Sequence, residues 1–163
     1  MTRHDDVGTI ARAIIGSGLY MVLGTSDRDG SPWVTPVYYA HDGFTRFCWV
    51  SSPDAKHSRN IAARRDISIV IFDSGAPISA GQAVYMSAVA EELTGEGADP
   101  AIEIFSRRSR VHGAAAWTLA DVRPPAELRL YQATASAQWI LEPGAPSDRR
   151  VEVHLEQAEG GTG

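Results

Sequence analysis

The sequence predicts a mainly β domain, a closed antiparallel barrel of six or more strands carrying only short helices. Three observations lead there. Asp-Gly pairs at Asp29-Gly30 and Asp42-Gly43 separate β-type runs, the strongest short-range signal for a hairpin. The runs follow one another without the regular strand–helix alternation that a parallel sheet requires. At 163 residues and 44% hydrophobic, the chain has the size and composition of one domain with a substantial core. Closing such a sheet also removes its exposed edges.

Each element has its own reason. Val7, Ile10, Ala11, Ile14 and Ile15 recur at helical spacing between Asp5-Asp6 and the breaker Gly16-Ser17-Gly18, so a short amphipathic helix opens the chain and should lie on the sheet. From Leu19 the pattern turns to β, and YMVLGTS, SPWVTPVYYA and FTRFCWVSS are three antiparallel strands joined by the two Asp-Gly turns. Ser52-Pro53-Asp54 then starts a helix to about Arg64, with a hydroxyl N-cap, Pro at the first helical position and an acid where the dipole favours one. ISIVIF (67–72) is short and apolar throughout, as expected of a strand buried on both faces. QAVYMSAVAEEL (82–93) is a further strand ended by Gly95 and Gly97, Asp99-Pro100 starts a helix through about Arg108, and segment 123–141 ends in a long strand after a double-proline entry. Residues 1–155 thus read as a single domain, and 156–163, closing in EGGTG, as a disordered tail.

The charge balance narrows the function. With 15 basic against 20 acidic residues the net charge is −5, which opposes the basic face that nucleic-acid binding needs. The longest apolar runs are of strand length, far short of the roughly 20 residues of a spanning helix. No secretory pattern opens the chain, and Cys48, the only cysteine, has no partner for an intramolecular disulfide. A cytoplasmic protein that meets neither nucleic acid nor membrane is the expectation.

One segment concentrates chemistry. In VSSPDAKHSRNIAARRD (50–66) a strand ends at Val50, Ser51 and Ser52, and a helix begins with Lys56, His57 and Arg59 in or near its first turns. Free helix amides, hydroxyls and cationic side chains are what a terminal phosphate needs. A plain capped helix with a solvated basic face fits the same spacing equally well.

This segment does not stand alone. In order along the chain, TPVYYA (35–40), VSSPDAKHSRNIAARRDISIVIF (50–72), GQAVYMSAVAEEL (81–93) and FSRRSRVHGAAAW (105–117) resemble segments of the pyridoxamine 5'-phosphate oxidase-like, FMN-binding split β-barrel family. The resemblance covers about residues 15–140 and rests on order and spacing rather than on any single motif. It implies a six-stranded antiparallel split β-barrel with flanking helices. It also implies a homodimer with a flavin at the interface.

Carried over residue by residue, the resemblance places Thr35, Pro36, Val37 and Tyr38 along the flavin ring, Val50, Ser51 and Ser52 at the strand end facing the phosphate, and Lys56 and His57 in the place of an Arg-Lys phosphate grip, with Arg59 beside them. His57 departs from the family pattern, because a neutral imidazole donates one hydrogen bond where Lys brings a full charge. Gln82 matches a Gln that hydrogen-bonds a polar edge of the ring, and Trp139 matches a flavin-side aromatic near the chain end. Thr35 and Ala40 replace the basic residues that bracket this stretch in enzymes acting on vitamin B6, so that substrate is not expected.

The remaining residues carry less. Trp33, Trp49 and Trp117 suit core or dimer contacts, His4, His41, His112 and His154 show no metal-ligand spacing, and Arg107, Arg108 and Arg110 suit a solvated helix end. No metal site is expected, and no triad or carboxylate pair identifies catalytic residues. The expectation is an FMN-dependent oxidoreductase acting on a small molecule, in which the cofactor does the chemistry. A deazaflavin enzyme of the same fold remains open, as does a non-catalytic module that stores flavin or binds haem.

Overall fold

The computed structural model describes residues 3–155, with the side chains of residues 3–6 left aside. The expected tail at 156–163 lies outside the described residues. Three helices, α1 (Arg3–Ser17), α2 (Lys56–Ala63) and α3 (Ala98–Val111), accompany eight strands. Six strands are long: β1 (Tyr20–Ser26), β2 (Pro32–Tyr38), β4 (Arg46–Ser51), β5 (Asp66–Phe72), β6 (Ala83–Glu92) and β7 (Arg129–Leu141). Two of three residues each, β3 (Ala40–Asp42) and β8 (Arg150–Glu152), were not foreseen. All pairings are antiparallel in the order β2-β1-β5-β6-β7-β4-β3, with β8 on β7.

The expected closed barrel is therefore a curled half-barrel, since no ladder among the described residues joins β2 to β3 at the two ends of the path. Those strands follow one another in sequence across Tyr39, whose amide donates to the Leu19 carbonyl at 3.3 Å and so extends the β1–β2 register by one residue. Both Asp-Gly turns form. In the second, Gly43 and Phe44 each have φ 61°, the left-handed pair that a tight hairpin of matching twist requires.

Alternation decides the core. Met21 and Leu23 of β1, Ile67, Ile69 and Ile71 of β5, Val84 and Met86 of β6, and Phe47 and Trp49 of β4 point into one interior, closed by Val7, Ala11 and Ile15 of α1. β7 buries the odd residues Tyr131 and Ala133 and then the even residues Gln138 and Ile140, so its register must slip by one. The slip lies beside Ser87 and Ala88, which pair Ala137 and Ala135, and the Ser136 hydroxyl left between them bonds Ser87 O at 3.1 Å. A second cluster packs α3 against the back of β4, through Ile102, Phe105, Cys48 and Leu130.

β5 is not buried on both faces as expected; burial alternates along it, and Phe72 is 49% exposed. Among the described residues no helix covers the outer face of the sheet there. Across that face Pro36, Val22, Val70, Tyr85 and Trp139 stand opposite one another in a single row over five strands.

Candidate functional site

The strand–helix corner at β4 and α2 is assembled by buried polar contacts. Asn60 of α2 donates its amide N–H to Thr25 Oγ1 of β1 at 3.0 Å, and Ile61 enters the core, which fixes the rotation of the helix. One turn earlier, His57 is thereby turned inward, with Nε2 2.9 Å from Ser51 Oγ. Burial holds the His57 imidazole below its ordinary pKa of 6.5, so the ring is neutral at pH 7.

The helix starts later than expected, at Lys56. Ser52 caps a turn instead, accepting the Asp54 amide on Oγ and the Ala55 amide on its carbonyl, both at 3.1 Å. The N-cap is then Ala55, which has no side chain for the opening amides of α2. Those amides are left to water or a ligand. The two cations expected at the site are engaged at the surface. Lys56 Nζ reaches Asp27 Oδ2 at 3.3 Å, and Arg59 donates to the Asp54 carbonyl. The Asp27 carboxylate is kept below its ordinary range first by the Ser31 amide and also by Lys56.

Ser51 and His57 open into a pocket of about 590 Å³ whose wall runs along Pro36, Val37 and Tyr38 of β2 and Val50 of β4. Its far wall comes from the end of α3 and the loop after it: Phe105, Ser109, His112 and Trp117. No lining residue is Lys, Arg, Asp or Glu. At this far end Tyr38 Oη lies 2.8 Å from His112 Nδ1, with the two rings edge to face. Burial raises the Tyr38 pKa, and Arg108 opposes the shift.

Six of the expected residues thus meet in one pocket: Pro36, Val37, Tyr38, Val50, Ser51 and His57. Thr35 is in β2 with a buried Oγ1 that has no hydrogen-bond partner. Gln82 lies in an adjoining cavity of about 900 Å³ that shares Leu19, Tyr20 and Pro36 with the first. Its Nε2 donates to Leu141 O at 3.3 Å, which leaves a buried, unpartnered Oε1 as an acceptor. Trp139 belongs to the outer apolar row and not to the pocket. His112 was missed as a site residue, because its 74-residue separation from Tyr38 leaves no local signal. Among the described residues no group of three His, Cys, Asp or Glu could hold a metal ion, and no helix is long and apolar enough to cross a membrane.

An antiparallel half-barrel with an uncharged pocket beside a strand–helix corner defines the split-barrel class. The family model for pyridoxamine 5'-phosphate oxidase matches residues 10–159, and the chain belongs to that family. A search of the curated proteins returned no match. Among solved structures the chain is similar to a haem-binding protein from Mycobacterium smegmatis, with 19% identity, a TM-score of 0.68 and 90% of this chain covered. The chain spans 57% of that protein's length. It is also similar to HutZ, the haem storage protein of Vibrio cholerae, with 17% identity, a TM-score of 0.63, and 78% and 89% of the two chains covered. An F420 reductase aligns at 18% identity and a TM-score of 0.58, covering 78% of this chain and 94% of its own. At these identities the likeness is one of fold.

Proposed function

We propose that this chain is a flavin-dependent oxidoreductase that holds FMN with its phosphate at the β4–α2 corner and its ring along β2. The observation that carries the reading is the Ser51–His57 pair, 2.9 Å apart, beside the uncapped start of α2 and at one end of the uncharged pocket. The residues fit the group. Gln82 Oε1, in the adjoining cavity, is a buried polar atom with no partner, and the opening amides of α2 lack a side-chain cap; Thr35 Oγ1 is also unpartnered but lines neither cavity. Lys56 and Arg59 sit on exposed or half-exposed contacts whose release costs little, on the order of 0–1 kcal/mol for a surface ion pair. A bound flavin would supply two-electron redox chemistry; the protein supplies position and electrostatics.

The apolar row of the outer face supports a homodimer, in which a second copy covers Val22, Val70 and Trp139 and brings its own Gln82 toward the shared site. Purified protein should therefore scatter as a dimer and release FMN, identified by mass and by its absorbance spectrum. A monomer without flavin affinity refutes the reading.

A second reading has its own observation: His57 and His112 line the same pocket, and imidazole is a haem ligand. The similar structures that include a haem-binding protein and a haem storage protein favour it. A Soret band on titration with haem, in place of flavin binding, would select it. The F420 reductase keeps a deazaflavin as the alternative redox cofactor, separated from FMN by the mass of the released molecule.

A further inference from the structure

The pocket has a reacting end as well as an anchoring end. At the far wall, Tyr38 is half-buried and lines the cavity, while His112 is exposed at the C-cap of α3. The phenol thus faces the cavity, the imidazole lies between the cavity and water, and the 2.8 Å contact connects the two. Both rings are held in place. Tyr38 packs edge to face on Tyr20 and Phe105, with centroids 6.2 and 5.6 Å away, and the His112 amide bonds the carbonyls of Arg108 and Ser109. The loop beyond is fixed by Ser109 Oγ donating to Ala115 O and by the Trp117 amide donating to Ser106 Oγ, both at 2.8 Å.

We infer that Tyr38 and His112 form a proton relay that donates to an oxygen atom of a neutral, planar, unsaturated substrate, such as a quinone or enone, bound between β2 and α3. The substrate class follows from the wall. Opposite the β2 wall that the flavin ring would take, it presents Phe105, Trp117 and Leu128 for a flat apolar body, and it has no formal charge to meet an ionic group. The transfer balances. The Tyr38 O–H bond breaks as the substrate O–H bond forms, the phenolate takes back a proton from His112, and His112 takes one from water. The two electrons and the second hydrogen come together, as hydride, from the redox cofactor of the proposed function, and the inference rests on that reading for the hydride alone. The charged and titratable groups facing Tyr38 are Arg108 and His112 from α3, Tyr20 from β1, and His57 across the pocket. Arg108 sits where it lowers the cost of a transient phenolate, which lets the phenol act without becoming a permanent anion.

The test uses 4-nitrophenol on cofactor-free protein, because its phenolate colour reports the hydrogen bond donated to its oxygen. The expected result is a bound probe that ionises at lower pH than the free one. Tyr38→Phe should remove the shift, and His112→Gln should diminish it while leaving the fold's near-UV spectrum intact. No binding, or an equal shift in Tyr38→Phe, overturns the relay. With FMN and a nicotinamide donor added, menadione reduction should lose at least tenfold in kcat in Tyr38→Phe with KM little changed, and the pH profile should flatten in His112→Gln. Unchanged kcat in Tyr38→Phe also overturns it. A probe result as expected with no turnover in any form counts against the flavin reading and not against the relay.

Discussion

The two ends of the pocket are built from the same kinds of group, a hydroxyl and an imidazole, in different surroundings. At one end Ser51 and His57 are supplied by a strand end and the helix that follows it, and their cationic neighbours Lys56 and Arg59 stand outside the pocket on surface partners. At the other, Tyr38 and His112 come from distant parts of the chain, with His112 open to water and Arg108 behind the phenol. The first arrangement can recruit charge to an anion when one arrives. The second can pass a proton between a ligand and solvent. On the proposed roles, what surrounds a hydroxyl–imidazole pair, more than the pair itself, decides whether it anchors or reacts.

The comparison is broken most severely by removing the charge that the anchoring end recruits. Lys56→Ala should weaken FMN by about 1.5–3 kcal/mol, the worth of a charge-assisted hydrogen bond, in a flavin-fluorescence titration. His57→Lys sharpens the same end in the opposite sense, and should tighten FMN roughly tenfold, because an ionised donor is about twice as strong as a neutral one. Next comes acid stability. His57 and His41 are both held below 6.5 by burial, so the unfolded chain takes up protons that the folded one refuses. Their contribution is complete above pH 6.5 and is lost as the pH falls below it, and Tm should drop accordingly. In His57→Gln that drop should be smaller. The mildest change is Asp27→Asn, which frees Lys56 from a surface pair worth about 0–1 kcal/mol and should tighten FMN threefold at most.

Much of the scaffold is written in short-range signals. YMVLGTS is β1 to the residue, and both Asp-Gly pairs are hairpin turns. The strand–helix corner was legible for the same reason, since 50–59 is contiguous; its helix start moved from the Pro53 region to Lys56, where Ser52 Oγ accepts the Asp54 amide, and Lys56 and Arg59 turned to surface partners instead of the pocket. What could not be read depends on partners far along the chain. ISIVIF looks buried on both faces because Val70 and Phe72 are apolar, yet among the described residues none buries them: Val70 is half-buried and Phe72 exposed. The β7 slip at Ser136, the short pairings of β3 and β8, and the Tyr38–His112 contact are likewise set by tertiary register and not by local pattern.

The central claim is that the β4–α2 corner grips a phosphate. Isothermal titration of the cofactor-free protein with FMN and with riboflavin, which differ only in that group, tests it directly. The account predicts that FMN binds at least tenfold more tightly than riboflavin, and that Lys56→Ala closes most of the gap by weakening FMN alone. Equal affinities for the two flavins in the wild-type protein would contradict it.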